Sequence, residues 1–544
     1  MIDLAQMTLE EKIGQLFLLA FSGWRLDEAR VLMEEQLVGA CYLSNDNLPT
    51  PEAALQLTET LQGYAAKTRL KIPLLLGVDQ EGAWSVMTPG SAPGPGNMAL
   101  GATHNPQAAY DMYAVFAEEL LAVGLNAVYA PSADCNSNPH NSIIGMRSFG
   151  EKPELVGDMT AAAVRGAQEN GLIATVKHFP GHGDTREDSH RGLPRVDRSA
   201  DELRRIDLYP FARGIGAGAK MVMTSHILFP ALDPELPATL SPTILQGVLR
   251  GELGFDGVII TDSMNMQAMQ KHYAPDRAVI QAIRAGVDLV MLAEEHYNHN
   301  AEQYLSQQRA LIAAVIRAAE TGELPMARVD DAVSRVLKLK AEIFAGTRLP
   351  LATVGGEAHR AVELRVSREA VAALRNSANT VPLAQGQPLT VINTTSKASY
   401  TELGSTRGIG PNQTTPAFDY FLEAVRAFAG DIRVISAEEF LSGAAILPGD
   451  RPIIAVTENY PLPGMDFDQA SQIEIVNRLA SRQDLIVVAL RDPYELRHMP
   501  DVQTYLCAFS FRPPAAQAAA EALFGMTPLA GRSPVSVPEA GIQA

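Results

Sequence analysis

The chain has 544 residues, 47% of them hydrophobic, a formal net charge of −18 and a sequence pI of about 5.1. That length exceeds one ordinary domain, so two or three cores are expected. The acidic balance argues against nucleic-acid binding, which leaves a basic footprint, and against attraction to an anionic membrane surface. Three cysteines, Cys41, Cys135 and Cys507, are odd in number and far apart, so they supply neither a disulfide framework nor a zinc pattern. Residues 1–12 hold acidic groups and no apolar core of signal-peptide length, and no run of about 18 apolar residues occurs. A soluble, cytoplasmic protein is expected; nothing in the sequence signals an oligomeric state.

From residue 1 to 345, short apolar runs alternate with longer amphipathic ones. Strands are predicted at Gln15–Ala20, Val38–Leu43, Pro73–Val78, Asn126–Ala130, Leu172–Val176, Lys220–Thr224, Gly257–Thr261 and Asp288–Leu292. Helices are predicted between them, among them Pro106–Ala122, Pro153–Asn170 and Ala200–Ile215. A doubly wound sheet would share this periodicity, but eight strands each followed by a helix favour a (β/α)8 TIM-type barrel. Residues 346–365, with Gly346, Pro350 and Gly355-Gly356, read as a linker. The alternation returns over 366–544, with parallel strands at Leu389–Asn393, Ile432–Ile435, Pro452–Thr457, Asp484–Leu490 and Thr504–Phe509. Helices at Pro416–Ala429, Asp468–Ala480 and Ala515–Phe524 complete a three-layer αβα sandwich domain.

The ends of the predicted barrel strands collect polar groups: Asp79-Gln-Glu-Gly82, Asp134-Cys-Asn136, Lys177-His178, Ser225-His226 and Asp262. In a barrel these positions fall on the one face that hosts active sites. The densest is Lys177-His-Phe-Pro-Gly-His-Gly-Asp-Thr-Arg-Glu-Asp-Ser-His190, which follows a buried strand and is turned into loop by Pro-Gly. Asp262 ends the run Gly257-Val-Ile-Ile-Thr, where a carboxylate is expensive to bury without partners. It reads either as a cap on the next helix, with Ser263, or as a nucleophile. His226 reads equally as a buried structural histidine or a site residue. His182, Asp184, Asp188 and His190 offer a nitrogen and oxygen ligand set, so a metallohydrolase is a rival reading, although their spacing fits no metal motif. Gly214-Ile-Gly-Ala-Gly218 follows a helix and precedes a strand, the reverse of a phosphate loop, and is taken as a helix-ending turn.

The segment from Lys177 to Gly183 with Asp188-Ser-His190 resembles the signature of glycoside hydrolase family 3, in its β-N-acetylglucosaminidase branch and two-domain form. Two further stretches are similar to that family: Asn141–Gly150 around Arg147, and Thr261-Asp-Ser-Met264. The resemblance implies a retaining exo-β-N-acetylglucosaminidase that removes terminal β-linked N-acetylglucosamine through a covalent glycosyl-enzyme on Asp262. It implies an Asp188–His190 acid/base dyad, and substrate-binding roles for Asp79, Arg147, Lys177 and His178, with His226 in a family-like region. A histidine suits acid/base work because its ordinary pKa of about 6.5 lets it donate and accept near neutrality. Gly181 and Gly183 would let its loop move. No cofactor and no metal are implied. The substrates implied are β-linked N-acetylglucosamine glycosides or muropeptide fragments, which places the branch in bacterial peptidoglycan recycling. The sequence departs from the family after Gly82: two arginines usual there are replaced within Ala83-Trp-Ser-Val-Met87, where Trp84 is read as packing under the loop. That leaves open a β-glycosidase of another sugar, a family 3 phosphorylase, since a histidine acid/base does not repel phosphate as a carboxylate would, and an inactive sugar-binding homologue.

Overall fold

The computed structural model describes residues 3–82, 90–141, 143–185, 193–293, 301–343, 349–400, 413, 415–458 and 468–544. Eight parallel strands form the first sheet: β1 (Phe17–Leu19), β2 (Ala40–Tyr42), β3 (Leu75–Val78), β4 (Ala127–Val128), β5 (Ile173–Phe179), β6 (Met221–Thr224), β7 (Val258–Thr261) and β8 (Val290–Leu292). They pair in the order β7-β6-β5-β4-β3-β2-β1-β8, and a parallel bridge between Ile260 and Leu289 closes the ring. All eight predicted strands are present. β5 runs on past its expected end at Val176, so Lys177 and His178 belong to the strand itself. The reason is pairing on both sides: the Lys177 amide donates to the Pro131 carbonyl at 3.1 Å and the Ser225 amide to that of Phe179 at 2.8 Å.

Side-chain alternation explains how such short strands hold. Leu18, Ala40, Tyr42, Leu75, Ala127, Tyr129, Ile173, Met221, Val258 and Ile260 fill the barrel interior. Their neighbours Phe17, Leu19, Cys41, Leu76, Val78, Val128, Ala174, Val222 and Ile259 pack outward against the helices. Both faces are therefore apolar, as a parallel sheet between helices requires. Each buried aliphatic or aromatic side chain contributes about 1.5–3 kcal/mol. Gly77, on β3, leaves room for the Tyr129 ring, whose hydroxyl would lie 2.5 Å from any Cβ there. Tyr42 stacks on Tyr129 at 5.8 Å between centroids, and the pair floors the carboxyl end of the barrel.

The second sheet comprises β9 (Ala372–Asn376), β10 (Leu389–Asn393), β11 (Ile432–Ile435), β12 (Ile453–Thr457), β13 (Leu485–Ala489) and β14 (Thr504–Cys507), ordered β11-β10-β12-β13-β14-β9. The five predicted strands are parallel. β9 was not expected; it pairs antiparallel with β14 at the sheet edge.

Much of the expected linker is helical. Helix Glu357–Ala370 begins within it, and His359, Glu363, Val366, Ser367 and Ala370 are buried. His359 sits between Glu118 and Glu119 of the barrel at 2.8 and 2.9 Å, and Arg368 grips Glu521 of the second unit at 2.6 and 2.8 Å. One helix thus packs on both units. A second seam forms where Ser536 donates through its amide and hydroxyl to Glu151 at 2.8 and 2.5 Å. The three cysteines are buried free thiols, raised in pKa chiefly by burial. Among the described residues no helix is long and apolar enough to cross a membrane.

Candidate active site

The site is built on the carboxyl ends of β3, β4, β5 and β7. Asp79 and Glu81 leave β3 on the same side, two residues apart, as strand alternation dictates. Lys177, on β5, reaches both: its Nζ lies 2.7 Å from Asp79 Oδ1 and 2.6 Å from Glu81 Oε1. Arg147, on the short turn Gly145–Arg147, adds a two-pronged grip on Glu81, with Nε 2.7 Å from Oε2 and Nη2 2.8 Å from Oε1. Asp79 Oδ2 also accepts from the Tyr42 hydroxyl at 2.9 Å, which ties the site to the barrel floor. Burial alone would neutralise these groups. Instead it is overcome by the opposite charges: Arg147 and Lys177 hold the Glu81 carboxyl far below its usual range, and Asp79 and Glu81 hold the Lys177 ammonium above its own.

His178 is fixed from two sides. Its Nδ1 lies 2.8 Å from Asp134 Oδ2, and its Nε2 lies 3.3 Å from Arg147 Nη2. A guanidinium can only donate, so when the ring is neutral Nε2 accepts from Arg147 and Nδ1 carries the proton given to Asp134. Asp134 also accepts from the backbone amides of His178 and His182, the latter at 2.7 Å. His182 is pushed down to about 4, first by burial and then by His178.

Asp262 follows β7 directly. Its Oδ1 accepts the Ser263 amide at 2.7 Å. Burial raises the carboxyl, but His178, His226, the Ser263 amide and Lys177 outweigh it and keep the group below the usual aspartate value. The helix-cap alternative does not hold: the next helix starts only at Gln267, and Ser263 turns its hydroxyl to the Ala293 carbonyl after β8. His226 is buried, its Nδ1 2.9 Å from the Thr239 hydroxyl and its Nε2 3.0 Å from the Ser263 carbonyl, so it braces the residue after Asp262.

Asp79, Lys177, His178 and Arg147 are thus joined in one network, with Asp262 in its electrostatic reach. Asp188 and His190, and the Ala83–Met87 segment, lie outside the described residues. Glu81 and Asp134 were not singled out from sequence, although both sit in strand-end runs. Alternation would have paired Glu81 with Asp79. Of the rival metal set, His182 turns Nδ1 to Thr185 Oγ1 at 2.8 Å, and Asp184 pairs with Arg198 at 3.2 Å. Gly181 and Gly183 are packed: a Cβ on Gly183 would lie 1.6 Å from the Cys135 carbonyl, and one on Gly181 2.8 Å from Asp207 Cβ. Close approach, rather than freedom to move, is what requires glycine there.

Paired charges gathered at the carboxyl ends of a closed (β/α)8 barrel define an enzyme of the barrel class, with its chemistry on this face. The family model for the glycosyl hydrolase family 3 N-terminal domain matches residues 8–339, and the chain belongs to that family. A family 3 β-N-acetylglucosaminidase structure from Paenibacillus sp. str. FPU-7 superposes with a TM-score of 0.84 at 32% identity, covering 98% of this chain and 99% of that one. A curated relative, beta-hexosaminidase A of Pseudoalteromonas piscicida, is 34% identical over 375 residues, 64% of this chain and 61% of that protein. The chain thus spans less than two thirds of that relative. A beta-N-acetylglucosaminidase/beta-glucosidase of Cellulomonas fimi is 27% identical over 98% of this chain and 94% of its own length.

Proposed function

We propose that the protein is a glycoside hydrolase acting as a retaining exo-β-N-acetylglucosaminidase on terminal β-linked N-acetylglucosamine. The observation that carries this reading is the placement of the Asp262 carboxylate directly after β7, on the face where Asp79, Lys177, Arg147 and His178 form their network. Family membership and the names of the relatives above support the reaction class and the sugar.

In this reading the Asp262 carboxylate attacks the anomeric carbon while the aglycone oxygen leaves with a proton from His190. The covalent glycosyl-enzyme is then attacked by water, whose proton returns to His190 as the sugar–Asp262 bond breaks. Two inversions give retention. Asp188 orients the imidazole and stabilises its charged form. Asp79, Lys177, Arg147 and His178 hold sugar hydroxyls through charge-assisted hydrogen bonds, their own pairing keeping them preorganised. Peptidoglycan fragments are the substrates that the family branch suggests, and a cytoplasmic location would accord with their recycling.

Hydrolysis of a panel of nitrophenyl glycosides, with and without phosphate, tests the sugar and the acceptor. N-acetylglucosaminide should be the preferred substrate, and a 2-fluoro glycoside should label Asp262. In His190→Ala, a substrate with a poor leaving group should lose about 10²–10⁴ in rate. A dinitrophenyl glycoside, whose leaving group needs no proton, should instead accumulate the glycosyl-enzyme. Labelling of another carboxylate, or equal losses on both substrates together with inactivation by chelators, would refute the mechanism.

A further inference from the structure

Among the described residues, Arg512 of the second unit reaches the turn that carries Glu81. Arg512 stands just before helix Pro513–Leu523, yet its side chain does not cap that helix. It is 2% exposed and crosses to the barrel, where Nε donates to the Gly82 carbonyl at 3.0 Å. Stability alone is a poor reason for this placement. A cation beside a helix start opposes the helix dipole, and burying a guanidinium carries a desolvation cost of several kcal/mol. The side chain is nonetheless held there: Nη1 lies 3.4 Å from Gln413 Oε1, and the guanidinium sits 5.2 Å from the centre of the Phe511 ring. Gln413 in turn donates to the Phe511 carbonyl at 3.0 Å.

What Arg512 holds is the turn that carries Glu81. Gly82 has φ +78°, and a Cβ there would lie 2.7 Å from the Gly96 backbone, so the turn is confined from that side already. Arg512 fixes its carbonyl from the other. Glu81 precedes Gly82 directly, and among the described residues it is the one carboxylate that touches both Arg147 and Lys177. A small rotation of this turn would slide the carboxylate along its two cations and change where both point.

Resting on the glycosidase reading, we propose that Arg512 is a positioning residue supplied by the second unit: it locks the Glu81–Gly82 turn so that Glu81 keeps Arg147 and Lys177 aimed at the sugar. Its effect is on binding rather than on bond cleavage, because the groups it aligns hold hydroxyls that are bound alike in substrate and transition state.

The test uses the full chain. Arg512→Ala should raise KM for nitrophenyl N-acetyl-β-glucosaminide by roughly ten- to a hundredfold, the range for losing one hydrogen bond from a charged group, while kcat changes far less. Guanidinium at millimolar concentration should restore part of that loss in Arg512→Ala, and not in Arg512→Lys, whose chain fills the space. Ser536→Ala, which cuts the seam away from the site, should leave KM unchanged. Hydrogen exchange at the amides of 80–82 should be faster in both Arg512 variants, a readout that does not depend on turnover. Unchanged KM with unchanged exchange would overturn the proposal. So would losses in kcat and melting temperature that guanidinium does not rescue. If the native protein hydrolyses no glycoside, the functional reading fails, and the exchange measurement alone decides for or against Arg512.

Discussion

At the scale of single residues the site is a problem in charge compensation. Lys177 and Glu81 are nearly inaccessible to water, Arg147 is half-buried, and the groups survive as ions because the two cations face the carboxylates of Glu81 and Asp79. Removing one partner strands a buried charge, which costs about 3–5 kcal/mol. Glu81→Ala should therefore lower stability by that amount in urea unfolding, well beyond an average surface substitution. Asp262 has the opposite character, an ionised group that must stay so at work. Since its carboxyl is held below the usual aspartate value, kcat/KM on a dinitrophenyl glycoside, which needs no acid, should stay flat down through about pH 4 and fall only below that. A pH–rate profile checks this; an acid limb near pH 6 would assign the nucleophile elsewhere. Asp79, Lys177, His178 and Asp262 were legible as site candidates because each ends an apolar run. Glu81 and Asp134 were harder to read. They are carboxylates that touch protein cations and imidazole rather than forming a motif of their own, and only the fold shows which neighbours they face.

At the scale of elements, most strands and helices were legible from periodicity, and the misses have physical causes. Gly346, Pro350 and Gly355-Gly356 made 346–365 read as a linker, yet from Glu357 the chain is rich in Ala, Glu and Arg, which favour the helix found there. That helix ends at Ala370, and Val371 turns extended into β9, which was not expected, because of tertiary contacts. The Gly531 amide donates to the Val371 carbonyl at 3.0 Å, and Tyr505 and Leu506 of β14 offer a ladder for β9. The turn Tyr494–His498 presents another element-level feature. Glu495 is buried beneath β12 and β14, takes hydrogen bonds from Thr457 and from Tyr505, the latter at 3.2 Å, and is pushed up to about 8, first by burial. A carboxyl raised above its unfolded value contributes stability that is complete at acid pH and is lost as pH rises through the folded value. Between about pH 4.5 and 8, stability should therefore decline by up to about 1.4 kcal/mol per pH unit from this group. Glu495→Gln should flatten that slope, measured by urea unfolding at intervals of pH. A slope unchanged by the substitution would place the titration in other groups, with Asp492, also raised by burial, the first to examine.

At the scale of the molecule, the count of eight strands made the barrel legible, whereas its closure was not, because the bridge from Ile260 to Leu289 leaves no trace in periodicity. The union of the two units was equally invisible. It depends on pairs hundreds of residues apart, such as Arg512 with Gly82 and Ser536 with Glu151. A helix shared by both units and a seam of this kind suggest that they unfold together. The cysteines make that measurable without adding any probe. Cys41 lies on β2, Cys135 in the loop after β4 and Cys507 on β14, and burial keeps all three as unreactive thiols. An alkylating reagent can modify each only when its own region opens. If the units are one cooperative body, mass spectrometry should find the three modified at a common rate as denaturant rises; early modification of Cys507 alone would mean that the second unit opens by itself. The native sequence already carries a clock in the barrel wall, one beside the site and one in the far sheet.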